Sequence, residues 1–91
     1  MVKELLVDAD IEAGRALLES LRRKRVTILA TQWVQWGPFM RLAIVCPQVR
    51  TVGKFKLYTK VQELLDPAGR LELEDVMFVS PKTELGKRLV S

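Results

Sequence analysis

The feature that most constrains the fold is a stretch with strand-forming residues, Val26 to Cys46, with a break at Gly37-Pro38. Residues 26–36 are rich in β-branched and aromatic side chains, which favour a strand. Residues 39–46 predict a second strand that ends before Pro47. Because only Gly37-Pro38 separates the two runs, the pattern predicts a β-hairpin around which the remaining segments must pack.

Segments whose apolar residues recur at helical spacing flank this hairpin on both sides. We expect a first helix capped by Asp8 or Asp10, whose carboxylates accept hydrogen bonds from free amide N–H groups. Residues 48–53 predict a loop, residues 54–65 a second helix, and residues 76–79 a third strand. Ser80-Pro81 predicts the start of a short last helix. The apolar positions that define the helices are Ile11, Leu17, Leu18 and Leu21, then Leu57, Val61, Leu64 and Leu65, then Leu85 and Leu89.

The element order is therefore α-β-β-α-β-α within one domain, residues 1–91. It predicts an α+β fold, a two-layer α/β sandwich whose three-stranded sheet contains the hairpin. An extra edge strand at residues 2–7 would instead give the ferredoxin-like order β-α-β-β-α-β.

Both faces of the hairpin are apolar. The side with Leu42, Ile44 and Cys46 suits the two longer helices, whereas the short last helix is expected to cover only part of the other side. Since exposed apolar patches commonly mark interfaces, we predict a two-fold symmetric homodimer. Coverage of this face within one chain is the alternative. The predicted interface residues are Val34, Trp36, Phe39 and Val45.

The chain carries 15 basic and 11 acidic residues, a formal net charge of +4. Basic residues follow the first helix and begin the second, so they are candidates for binding an anion or a nucleic acid. The alternative is that they form solvated helix ends. These candidate residues are Arg22, Arg23, Arg25, Arg50, Lys54 and Lys56.

Little in the sequence indicates catalysis. Histidine is absent and Cys46 is the single cysteine, which removes the usual general base and nucleophile pairs and argues against structural zinc. No glycine-rich phosphate loop occurs. We expect no cofactor, no metal and no catalytic residue. An enzyme that uses Arg50 in the loop at residues 48–53 is the least favoured alternative.

The lone cysteine and the acidic N-terminus argue against a secreted protein. The uncharged stretch at residues 26–40 is too short and too polar to span a membrane. We therefore expect a cytoplasmic protein without membrane contact.

Three groups of residues resemble a family of short bacterial proteins of unassigned function. They are Asp10-Ile11-Glu12-Ala13-Gly14-Arg15 with Leu17-Leu18-Glu19, then Ala30 and Trp33, then Arg41-Leu42 with Ile44-Val45-Cys46-Pro47, Val49 and the Val79–Pro81 turn. The resemblance implies a bacterial cytosolic α/β protein and transfers no catalytic residue. The chain departs from the family pattern in its short hairpin turn and in Lys54, which follows Gly53 where the family has proline.

These observations favour a non-enzymatic interaction domain that associates with itself or with a protein partner. A small basic nucleic-acid-binding protein is the alternative.

Overall fold

The computed structural model describes residues 6–65 and 69–90 and has the expected α+β architecture. Its elements run in the predicted order, with two short additions: a helical turn, α2, inside the expected loop and a 3-10 turn before the third strand. They are α1 (Asp8–Arg23), β1 (Ala30–Trp36), β2 (Phe39–Val45), α2 (Gln48–Thr51), α3 (Lys54–Leu64), a 3-10 turn (Leu73–Asp75), β3 (Val76–Val79) and α4 (Glu84–Val90). The alternative strand at residues 2–7 lies mostly outside the described residues.

The three strands form one mixed sheet in the order β1-β2-β3. β1 and β2 are antiparallel with Trp36 opposite Phe39, so the hairpin turns at Gly37-Pro38 as predicted. Gly37 has a φ of 65°, a left-handed conformation that glycine adopts at little cost. β3 lies parallel to β2, and α3 makes the crossover between them.

One face of the sheet packs against α1 and α3. Leu42, Ile44 and Cys46 of this face are buried among apolar residues of the two helices. A close approach at Gly14 fixes the height of α1 above the sheet: a Cβ there would lie 3.3 Å from the side chains of both Trp33 and Leu42. The sequence prediction for this face is confirmed.

The opposite face is partly covered by α4. Ala43 and Val45 are fully buried, and Leu85 and Leu89 pack against them. Gly86 makes this contact possible, because a Cβ at that position would overlap the carbonyl oxygen of Ser80. The backbone of α4 therefore lies directly on the turn that follows β3.

Two predicted helix starts are shifted. The Ser80 carbonyl accepts from the N–H of Thr83 at 3.2 Å, so the chain makes one more turn before α4. Thr83 then caps α4, its Oγ1 accepting from the N–H of Gly86 at 3.1 Å. At α1, Val7 occupies the capping position, and Asp10 reaches back from inside the helix to accept from the N–H of Val7 at 3.1 Å.

We predict that Gly86→Ala destabilises the protein, although glycine-to-alanine substitutions inside helices ordinarily stabilise. The added methyl group forces α4 away from Ser80, and we expect the free energy of unfolding to fall by about 1–3 kcal/mol. Urea denaturation measures this change. Lys87→Ala, at an exposed neighbour, is the control and should stay within about 0.5 kcal/mol of wild type. Equal stabilities of the two variants would contradict the close contact.

Candidate functional site

Charge is unevenly distributed along the chain. No acidic residue lies between Glu19 and Glu63, whereas nine of the 15 cations do. They are Arg22, Arg23, Lys24, Arg25, Arg41, Arg50, Lys54, Lys56 and Lys60. The fold of this segment therefore decides whether the cations form one surface.

The first cations lie where α1 ends. The N–H of Val26 donates to the carbonyl of Leu21 at 3.0 Å and the N–H of Arg25 to that of Arg22 at 3.0 Å. These two bonds form a Schellman motif. Arg25 takes its left-handed position with a φ of 65°, where glycine is usual. The motif turns the chain sharply and leaves the side chains of residues 22–25 exposed.

Gln48 joins this turn to the start of α3. Its Nε2 donates to the carbonyl of Arg25 at 3.2 Å, and its Oε1 accepts from the N–H of Thr27 at 2.7 Å. The Gln48 carbonyl accepts from the N–H groups of Val52 at 2.8 Å and Gly53 at 3.2 Å. This Gln48 junction, formed by those five residues, holds two basic segments side by side although they are distant in sequence.

The second basic segment begins at α2. Arg50, Lys54 and Lys56 are exposed, and the first turn of α3 contains no acidic residue. The N-terminus of α3 adds the positive end of its helix dipole to these charges. We call the surface formed by both segments the basic end. It comprises Arg22, Arg23, Lys24, Arg25, Arg50, Lys54 and Lys56.

Two apolar side chains stand exposed within the basic end. Phe55 is 85 % exposed and Val52 is 38 % exposed. Sequence analysis missed both, although helical geometry carries the signal for Phe55. It lies two positions before Leu57, so it points away from the face that Leu57 buries.

Six of the acidic residues lie at the opposite end of the molecule. α1 begins there with Asp8, Asp10 and Glu12. β3 also begins there, since it is parallel to β2 and follows Glu72, Glu74 and Asp75. The protein is therefore polarised, with an acidic end and a basic end.

Two carboxylates of the acidic end are structural. Asp10 is buried and accepts from Nε of Arg70 at 3.0 Å as well as from Val7. Asp75 is buried and accepts from the N–H of Glu72 at 3.0 Å. Within residues 6–65 and 69–90, no three potential metal ligands of the Cys, Asp or Glu type come together.

A groove of about 500 Å³ lies beside the acidic end. Arg41 lines it, and its Nε is buried without a hydrogen-bond partner. Glu72 and Glu74 line the same groove, so their negative charge opposes binding of an anion by Arg41.

Cys46 lies in the core rather than at a reactive site. Its thiol is buried and donates to Oε1 of Gln48 at 3.5 Å. Burial raises the pKa of this thiol above its usual value. The thiol therefore stays protonated near neutral pH, where it packs and does not act as a nucleophile.

The predicted interface residues do not form one open patch. Val45 is fully buried beneath α4 and is unavailable to a second copy of the chain. Val34 and Phe39 are half-buried, and Trp36 is 48 % exposed near the hairpin turn. The last helix thus covers part of this face, as expected, and the covered part includes Val45.

Comparisons with known proteins return no significant match to a family model, a curated protein or a solved structure. The resemblance to short bacterial proteins accordingly stays a prediction. Among the described residues, none of the helices combines the length and apolar character needed to cross a bilayer.

Proposed function

We propose that this chain is a non-enzymatic nucleic-acid-binding domain and that the basic end is its binding surface. The Gln48 junction is the observation that carries the proposal, because it sets the turn after α1 beside the start of α3. The two segments contribute seven exposed cations to this end of the molecule, and no acidic residue occurs in the sequence between them.

The chemistry of these cations suits phosphate. Arg22, Arg23, Arg25 and Arg50 present planar guanidinium groups that bind phosphate oxygens in pairs. Each phosphate that they bind releases condensed counterions from the nucleic acid, which favours binding at low salt. The existing ion pair of Arg23 is weak: it meets Glu19 at 3.9 Å with both side chains exposed. Arg23 therefore loses little interaction energy when it leaves Glu19 to bind a phosphate.

The acidic end directs this binding. Its carboxylates repel phosphate, so an approaching nucleic acid meets the molecule with the basic end first. Because phosphate contacts carry no sequence information, we expect weak sequence preference. We place the protein in a bacterial cytoplasm, where nucleic acid is available and Cys46 stays reduced.

We predict that Arg23→Gln/Lys54→Gln, with one cation removed from each basic segment, binds labelled oligonucleotides several-fold more weakly than wild type. Its plot of log affinity against log salt should be shallower by about 0.7–0.9 for each phosphate that the variant no longer neutralises. Fluorescence anisotropy across a salt titration measures both effects.

The matched control is Arg15→Gln/Lys87→Gln, which lowers the net charge equally but lies outside the basic end. It should keep most of the wild-type affinity. Equal weakening in the two double variants would show that net charge alone matters and contradict the assigned surface. Absence of wild-type binding at low salt would contradict nucleic-acid binding altogether.

Self-association is a second candidate function, supported by the exposed edge of the sheet. β1 is an edge strand of seven residues without charge or proline, the features that commonly protect such edges. β3, at the other edge, is only four residues long, and the Tyr58 hydroxyl accepts from the N–H of Phe78 there at 3.0 Å. Two copies of β1 can pair antiparallel about a two-fold axis without charge repulsion, and this would also cover Trp36.

We predict that Gln32→Lys weakens such a dimer, because lysines on an edge strand oppose pairing with another strand. Light scattering over a range of concentrations should then show a shift toward the monomer mass. Gln62→Lys, the same change at an exposed position of α3, should give the same mass as wild type at each concentration. A wild-type monomer at every concentration would exclude this candidate.

A further inference from the structure

Phe55 is the most exposed large apolar side chain of the described structure, and it lies between two lysines. It is the second residue of α3 and 85 % exposed, with Lys54 and Lys56 on either side. The opposite face of the same helix is anchored in the core by Leu57 and Val61. The ring is therefore held in solvent by a helix that has no freedom to rotate and bury it.

We infer that Phe55 is a stacking platform for an unpaired base, so that the basic end binds single-stranded nucleic acid in preference to duplex. This inference rests on the proposed function. A base stacked on an aromatic ring brings its backbone phosphates near the cations beside that ring. Bases within a duplex are stacked on each other and offer no such face.

A lipid surface fits these features less well. An interfacial helix inserts a complete apolar face into the bilayer. In α3 that face is occupied, because Leu57 and Val61 are buried in the core. The large apolar side chains exposed within residues 22–25 and 50–56 are Phe55 and Val52, beside seven cations. One ring surrounded by cations matches the pattern of single-strand binding, which combines stacking with phosphate contacts.

The experiment compares oligothymidylate with duplex DNA of equal length at one salt concentration. Wild type should bind the single strand more tightly. Phe55→Ala should bind the single strand about 5- to 100-fold more weakly, with less than about a twofold change for the duplex. Phe55→Trp should retain the preference, whereas Phe55→Leu, apolar but not aromatic, should abolish it. Circular dichroism should show equal helix content, since Phe55 is exposed.

Two results would overturn the stacking role: equal wild-type affinity for both DNA forms, or equal weakening of both by Phe55→Ala. Tighter binding to phosphatidylserine vesicles than to oligothymidylate, abolished in Phe55→Ala, would also overturn it. The Arg23→Gln/Lys54→Gln variant separates the two proposals. If its binding still falls with the expected salt dependence while the Phe55 variants behave as wild type, nucleic-acid binding stands and base stacking fails.

Discussion

The hydrogen bonds of Gln48 are the constraint that joins the two segments of the proposed binding surface. One side chain reaches back over more than 20 residues to the carbonyl of Arg25 and the N–H of Thr27. Its own carbonyl holds the N–H groups that precede α3. These backbone N–H and carbonyl groups lie in turns, outside the hydrogen-bond pattern of a helix or sheet. The junction gives them hydrogen-bond partners and thereby fixes the turns. Without it, the pairing of β1 with β2 would still bring the two segments to the same end of the molecule, but the turn after α1 would lose its hydrogen bonds to Gln48.

The separation of acidic and basic residues follows from the path of the chain. The antiparallel hairpin and the parallel third strand bring the start of β3 to the end where α1 begins. The acidic residues of both segments gather there, and part of their charge is used internally, as the Asp10–Arg70 ion pair shows. At the other end, the cations of residues 22–25 and 50–56 project into solvent. A mainly cationic surface with an exposed ring is thus produced by the path of the chain together with the Gln48 junction, and not by a local motif.

Short-range patterns allowed much of the fold to be predicted. The break at Gly37-Pro38 gave the hairpin register, and alternation identified the face that packs under α1 and α3. Long-range contacts explain what was missed. Burial of Val45 depends on the contact of Gly86 with Ser80, which no periodicity signals. Residue type identifies the cations of the candidate site, but their placement at one end depends on strand pairing and on the long-range hydrogen bonds of Gln48. The helical phase of Phe55 predicts its exposure, but its position among the cations of the basic end depends on the fold.

The central claim is that two segments distant in sequence form one nucleic-acid-binding surface. Mapping amide chemical-shift changes by NMR, as a short single-stranded oligonucleotide is added to the wild-type protein at low salt, tests it most directly. We expect shifts in residues 22–27 and 48–56 that grow together with one dissociation constant and reverse when salt is added. Shifts confined to one of these segments, or centred on β1 or the acidic end, would contradict the claim.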